Sequence, residues 1–357
     1  MIGWDQTHAG EKMRWSKTIN VVEAHAEGEV GKVITGGALP PPGDSLLEQQ
    51  QYLKNNADEL RKFLLYEPRG GAFTHANLIV PAANPEAVAG FIIMEPDDYP
   101  PMSGSNSMCV ATVLLETGMV PMQEPETRFK LETPGGIVEI LATCKNGKCK
   151  RVQTTNVPCF ATHLDHPLEI GGMGTVSVDV AYGGGFFVLA DAQKLGFSIT
   201  RDEARQLVDV GEKIKAAARE QVPVSHPEIP EFNEIVFTQF TLPVVEETGQ
   251  KIGRNTVVIS PGKLDRSPCG TGTSARLAVL HAKGEIEAGE SFLSRSVIDT
   301  EFLGRIERTL TVGRIPAIQP SISGQAWITG IHQYGLDPDD PFPEGYTLSD
   351  TWYRALD

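Results

Sequence analysis

The segment Ser103-Gly-Ser-Asn-Ser-Met-Cys-Val-Ala-Thr-Val-Leu-Leu-Glu-Thr-Gly118 has a second copy, Cys269-Gly-Thr-Gly-Thr-Ser-Ala-Arg-Leu-Ala-Val-Leu-His-Ala-Lys-Gly284. Without a gap, both copies open on a small nucleophilic side chain followed by glycine (Gly104, Gly270). Hydroxyl residues follow (Ser105 and Ser107; Thr271 and Thr273), and Val113-Leu114 and Val279-Leu280 fall in register. Both copies stop on glycine at the same offset (Gly118, Gly284). Each copy reads as one device: a small-residue turn, a buried apolar helix, and a glycine stop. The first turn of a helix has unpaired backbone N–H groups and a partial positive charge. If the copies face each other, a small carboxylate can be gripped between two helix starts, with Ser103 at one face of its α-carbon and Cys269 at the other.

Away from this repeat the chain is strand-rich. Strands are predicted over residues 18–23, 30–35, 76–80, 88–94, 129–133, 136–142, 152–157, 174–182, 234–242 and 255–259. Four more are predicted between residues 297 and 334. Helices are predicted at about 45–64, capped by Ser45, and over 200–218, capped by Thr200. Cys144-Lys-Asn-Gly-Lys-Cys149 centres on Asn-Gly and predicts a hairpin in preference to half of a zinc site with Cys159, His163 and His166. His25-Ala-Glu-Gly-Glu29 is expected to be a polar loop beside the site rather than a metal site. The glycines of Ala181-Tyr-Gly-Gly-Gly-Phe-Phe187 open no G-x-G-x-x-G helix, which argues against a dinucleotide site. They are expected to let a strand approach its neighbours closely. Residues 1–17 read as a polar lead, and the acidic, proline-broken stretch 337–342 as a tail.

The segment Asp265-Arg-Ser-Pro-Cys-Gly-Thr-Gly-Thr-Ser274 resembles the signature of the proline racemase superfamily, which includes proline racemase, 4-hydroxyproline 2-epimerase and trans-3-hydroxy-L-proline dehydratase. Weaker motifs follow in the family's order: His25–Glu29, Glu67-Pro-Arg-Gly-Gly71, Ala181-Tyr-Gly-Gly184 and Gly324-Gln-Ala-Trp-Ile-Thr-Gly330. Where the family usually has Met-Cys-Gly-His, this chain has Met102-Ser103-Gly104-Ser105, so it departs at both the first thiol and the histidine. Cys109 lies inside the predicted helix and does not replace the missing thiol.

The resemblance implies an α/β (α+β) fold of two pseudo-symmetric halves. Each would be a strand-rich sheet or barrel around a central helix, with the active site in the cleft. The expected halves are residues 18–150 with about 324–357, and residues 151–323. It also implies that Ser103 and Cys269 are catalytic and that Gly104, Ser105, Gly270 and Thr271 hold the carboxylate. Asp265 is implied to meet the ring nitrogen. No metal or organic cofactor is expected. A thiol titrates near 8.5 and lower at a helix start, which would make Cys269 a base at neutral pH. A serine hydroxyl is a far weaker acid and base, so the pair is asymmetric. That asymmetry favours elimination from trans-3-hydroxy-L-proline, with 4-hydroxyproline epimerisation as a side or alternative main activity, over proline racemisation. Outside the family, a cysteine hydrolase would need a histidine base, for which His25, His75 and His281 are candidates. A non-catalytic amino-acid binding protein would not bring solvent deuterium into its ligand.

The formal net charge of −15 argues against nucleic-acid and anionic membrane partners. Five cysteines without framework spacing fit a reducing compartment. The first eight residues lack a signal-peptide pattern, and a cytoplasmic protein is the expectation. A small molecule is the expected partner, and a homodimer is left open.

Overall fold

The computed structural model describes residues 17–352. The expected polar lead lies outside them apart from Lys17, as do residues 353–357 of the first expected half. The chain runs through β1 (Lys17–Ala26), β2 (Glu29–Gly36), α1 (Leu46–Asn56), α2 (Glu59–Leu65), β3 (Thr74–Val80), β4 (Ala89–Met94), α3 (Gly104–Glu116), β5 (Glu126–Thr133), β6 (Gly136–Lys145) and β7 (Lys148–Thr155). It continues through β8 (Phe160–Ile170), β9 (Gly174–Tyr182), β10 (Phe186–Asp191), α4 (Ala204–Gln221), β11 (Ile235–Thr241), β12 (Val245–Glu247), β13 (Gln250–Ile259) and β14 (Lys263–Leu264). It closes with α5 (Gly270–Ala282), β15 (Ser291–Arg295), β16 (Glu301–Val312), β17 (Ile315–Gly324) and β18 (Ala326–Leu336).

The repeat seen in sequence governs the strand pairing. From β1 to β7, successive strands pair antiparallel, parallel, antiparallel, parallel, antiparallel and antiparallel. The same series recurs through β9, β10, β11, β13, β15, β16 and β17. A parallel pair needs a crossover. In each series the first crossover carries surface helices (α1 and α2, or α4) and the second carries the long apolar helix (α3 or α5). β18 flanks β1 as β8 flanks β9, antiparallel in both cases. β7 and β17 end the two series and pair with each other, joining the halves.

Both long helices are apolar nearly all round, which a helix tolerates only inside a core. Residues Gly104 to Leu115 of α3 are all buried. In α5, Gly270 and every residue from Gly272 to Leu280 are buried. One apolar cluster gathers Val110, Val113 and Leu114 of α3 with Phe91, Leu131 and Val152, and takes in Leu277 of α5 and Phe302 of β16. The halves therefore share a core.

Several expectations shift at their edges. Ser45 caps α1 as expected, its Oγ accepting from Glu48 N at 3.2 Å. The helix then breaks at Ala57, so the predicted 45–64 span is two helices. Thr200 forms a capping box with Glu203, and α4 extends to Gln221. The Asn-Gly hairpin is present: Asn146 (φ 56°) and Gly147 (φ 70°) make the turn, and Cys144 lies opposite Cys149. His25–Glu29 is not an open loop. His25 ends within β1, Glu29 begins β2, and the turn is Glu27-Gly28 alone.

The glycine-rich turn between β9 and β10 lies directly on the start of α5. A β-carbon on Gly183 would fall 2.2 Å from Thr271 O and 2.8 Å from Ala275 N. No side chain fits there unless α5 moves. Gly183→Ala is therefore expected to destabilise the protein by about 1–3 kcal/mol or more. Gly171→Ala, where a β-carbon meets nothing within 4 Å, is the control expected to change little. Urea denaturation of the two variants measures the difference.

Candidate active site

Ser103 and Cys269 are the N-caps of α3 and α5. Ser103 is extended (φ −150°, ψ 125°), and its Oγ accepts from Asn106 Nδ2 at 2.9 Å and from Asn106 N at 3.4 Å. Cys269 Sγ accepts from Gly272 N at 3.3 Å. Ser105 Oγ lies 3.4 Å from Ser103 Oγ, and Thr271 Oγ1 lies 3.5 Å from Cys269 Sγ. The two helix starts meet at their glycines. A β-carbon on Gly104 would stand 3.2 Å from Gly270 Cα, and one on Gly270 would stand 3.1 Å from Gly104 Cα. Two partially positive helix ends are thereby held together, an arrangement suited to an anion.

Cys269 has φ 62°, a left-handed conformation that costs a non-glycine residue on the order of 1–3 kcal/mol. Its surroundings hold it there. Cys269 N donates to Ser267 Oγ (3.1 Å), and Pro268 O accepts from Asn255 Nδ2 (2.7 Å) and Thr273 Oγ1 (3.2 Å). Asp265 is buried, and its Oδ1 accepts from Ser267 N (2.8 Å) and Ser267 Oγ (2.9 Å). Burial, then the charge of Glu29, pushes the Asp265 carboxyl well above the usual range. Burial, then Asp265, likewise pushes the Cys269 thiol well up. This corrects the expectation that the helix start would lower it: Gly272 N and Thr271 act in that direction but are outweighed.

Beneath the helix starts lies a polar cluster that motif reading missed. Glu29, His75, Lys263 and Asn106 are buried together. Lys263 Nζ donates to Glu29 Oε1, and Arg266 N donates to Glu29 Oε2 at 2.7 Å. His75 Nε2 is 3.0 Å from Lys263 Nζ and 3.3 Å from Glu29 Oε1, and His75 Nδ1 is 3.2 Å from Asn106 Nδ2. Burial alone would raise the Glu29 carboxyl, but Lys263 and His75 hold it down at about 2. Burial, then Lys263, lowers His75 to about 3. Burial raises Glu95, whose Oε1 is 3.7 Å from His75 Nδ1, to about 7. The advance signals were separate: Glu29 in the His25–Glu29 motif, His75 among the histidines, and Asn106 within the first repeat copy.

His25, Glu27 and Glu29 diverge. His25 stacks on Trp327, Glu27 accepts from Gln325 N, and Glu29 turns to Lys263. The partners of Cys269 Sγ are Thr271 Oγ1 and Gly272 N, and none of His25, His75 and His281 is among them. His281 faces Ile286 O near the C-terminal end of α5. A cavity of about 140 Å³ is lined among others by Met102, Tyr182, Gly184 and His226, next to the helix starts but without Ser103 or Cys269 in its lining. Met102 precedes Ser103, and a β-carbon on Gly184 would lie 3.0 Å from Thr271 Cγ2. A larger cavity of about 990 Å³ reaches Lys263 and Arg266 from another side, past Phe73 and Arg205.

The proline racemase family matches residues 21–347, and the chain belongs to that family. It is similar to the crystal structure of a hydroxyproline epimerase from Agrobacterium vitis with bound trans-4-hydroxy-L-proline. The identity is 42%, the match covers 95% of this chain and 98% of that one, and the TM-score is 0.88. A probable proline racemase from Agrobacterium radiobacter with bound carbonate is 41% identical, with 94% and 98% covered and a TM-score of 0.87. A Bacillus anthracis phenazine biosynthesis protein is only 11% identical over 89% of this chain and 99% of that one. Its TM-score is 0.55, a likeness of fold alone. The chain is thus an enzyme of the proline racemase family with the family's α/β fold.

The buried histidine has a consequence for acid stability. With its folded value near 3 against about 6.5 unfolded, His75 takes up a proton on unfolding throughout that window. Stability contributed by neutral His75 is therefore present above about pH 6.5 and is lost as pH falls toward 3. Wild type is expected to lose stability relative to His75→Gln by up to about 1.4 kcal/mol per pH unit across the window. Denaturation of both proteins at several pH values measures that difference, from which the opposing contribution of Glu95 cancels to first order.

Proposed function

We propose that the protein removes the α-proton of hydroxyproline without a cofactor, dehydrating trans-3-hydroxy-L-proline and epimerising 4-hydroxyproline at C2. The carrying observation is the unequal pair on two touching helix starts, a serine on α3 and a cysteine on α5. The substrate carboxylate is held by the backbone N–H groups of Gly104, Ser105, Gly270 and Thr271. Asp265 meets the ring nitrogen, whose positive charge favours the ionised forms of Asp265 and Cys269 that burial opposes. Cys269 takes the α-proton and Ser103 serves the other face.

From the 3-hydroxy isomer, the α-proton passes to Cys269, the C3–O bond breaks as the hydroxyl takes a proton from solvent and leaves as water, and Cys269 returns its proton to solvent. This leaves an enamine acid that isomerises to Δ1-pyrroline-2-carboxylate. 4-Hydroxyproline has no leaving group at C3, so the proton can only be replaced, and Ser103 delivers it to the opposite face. The second reading, epimerisation as the main activity, is favoured by the relative that carries trans-4-hydroxy-L-proline and is named an epimerase.

We also read residues 18–150 with about 324–357 as one half-domain and 151–323 as the other, with the substrate in the cleft between them. The β1–β18 pairing supports this division. The five free thiols fit a reducing compartment such as the cytoplasm.

Incubation in heavy water with each hydroxyproline isomer, followed by mass and chirality analysis, tests the reading. Pyrroline from the 3-hydroxy isomer and α-deuterated inverted product from 4-hydroxyproline are expected. Brisk epimerisation with no dehydration would make the protein an epimerase, and unchanged ligand with no deuterium would end the enzymatic reading. Cys269→Ala is expected to abolish both reactions in a folded protein. Cys109→Ala, at a buried position within α3, should stay within a few-fold of wild type. Initial rates of the two variants compare them.

A further inference from the structure

The buried polar chain beneath α3 ends on Ser103, and its hydrogen bonds have a direction. Asn77 Nδ2 faces Lys32 O at 3.3 Å, and a backbone carbonyl only accepts, so that atom is the amide nitrogen. The same nitrogen donates at 2.8 Å to the Asn106 side chain, whose facing atom is then Oδ1. Asn106 Nδ2 is consequently turned toward His75 Nδ1 (3.2 Å) and Ser103 Oγ (2.9 Å). With Asn106 so turned, His75 Nδ1 accepts and the proton of the neutral ring is assigned to Nε2, 3.3 Å from Glu29 Oε1. Lys263 Nζ, a donor 3.0 Å from the same nitrogen, competes for it, and the Nε2–H form requires that lysine to aim its protons at Glu29, its nearer partner. Ser103 Oγ receives N–H groups from both the side chain and the backbone of Asn106. Its lone pairs are engaged from inside, and its own proton is left for the Ser105 side and the cleft.

We propose that Asn106, held by Asn77 and His75, is a positioning residue that presents Ser103 as a proton donor. Building on the function proposed above, this makes Ser103 the acid face and Cys269 the base face. In epimerisation, the α-C–H bond breaks and its proton goes to Cys269 Sγ. The Ser103 O–H bond breaks, and its proton forms the new C–H bond on the opposite face. The alkoxide left on Ser103 is stabilised by the two Asn106 N–H groups until water restores its proton, and the Cys269 thiol returns its proton to solvent. Dehydration draws on Cys269 for the difficult proton and depends less on Ser103.

Two measurements test this, the first independent of any activity. In protein labelled with ¹⁵N-histidine, with His75→Gln used for assignment, His75 is expected as the neutral Nε2–H tautomer. An Nδ1–H tautomer would reverse the chain and overturn the proposal, whatever the enzyme does.

The second measurement is kinetic. In Asn106→Asp the new carboxylate accepts from Ser103 and turns its proton inward. Epimerisation kcat is expected to fall about 100-fold or more, with KM within a few-fold and dehydration within about 10-fold. Should the Asp variant not fold, Asn106→Ala is compared in wild-type and Ser103→Cys backgrounds. A thiol needs less help to release its proton, so the loss in epimerisation is expected to be at least about 10-fold smaller in the Ser103→Cys background. Equal losses in both backgrounds, or equal losses of both reactions, would reduce Asn106 to a structural role. If wild type turns over no hydroxyproline while the tautomer is as expected, the functional reading fails and the orientation of Ser103 stands.

Discussion

The constraint on which the site depends is the approach of Gly104 to Gly270, where two helix starts meet so closely that a β-carbon on either would press on the other's Cα. Two positive ends repel when no anion is present, so the contact must be held by something else. The holding elements are the two sheet series around α3 and α5, the β7–β17 pairing between them, and the core to which both helices contribute. The glycine turn of β9–β10, seated on α5 within the distance a methyl group would need, fixes the second helix start. Ser103 and Cys269 are then carried to the site by their positions as caps.

The second constraint is electrostatic. Glu29 and Lys263 form a buried ion pair between β2 and β14, one in each half. Removing two charges from water is costly, and the pair offsets that cost only because its remaining bonding positions are filled. Arg266 N fills one carboxylate position and His75 stands beside both groups. Breaking such a pair from one side leaves an unpaired buried charge, so each half is penalised when the other moves away. The ion pair thus opposes separation of the halves near the site, where the apolar core is interrupted by polar groups.

Much of this was legible in the chain. The repeat was readable because its information is local: glycines, hydroxyls, an apolar run and a stop at matching offsets. The Asn146-Gly147 hairpin and the Ser45 and Thr200 caps were readable for the same reason. The buried cluster was not, because Glu29, His75, Asn106 and Lys263 lie on four elements spread over more than half the chain. Glu29 was read in a loop motif, His75 as one of three histidines and Asn106 in the first repeat copy, and nothing in the chain joined them to Lys263. The acidity of Cys269 was misread because a helix start is a sequence feature, whereas burial and the neighbouring Asp265 are properties of the assembled fold. The break at Ala57 fell within a stretch whose apolar spacing was continuous.

The position of β18 also bears on how the chain is made. β1 is the first described strand and β18 the last, and they pair along their length from Lys17–Leu336 to Ala26–Ala326. During synthesis one flank of β1 must therefore wait for a partner about three hundred residues downstream, while its other flank pairs with β2. Closing so long a loop is slow, and the free flank of β1 is exposed for pairing with other chains in the meantime. Capture of β1 by β18 is then a late step, which makes β18 the latch of the described sheet.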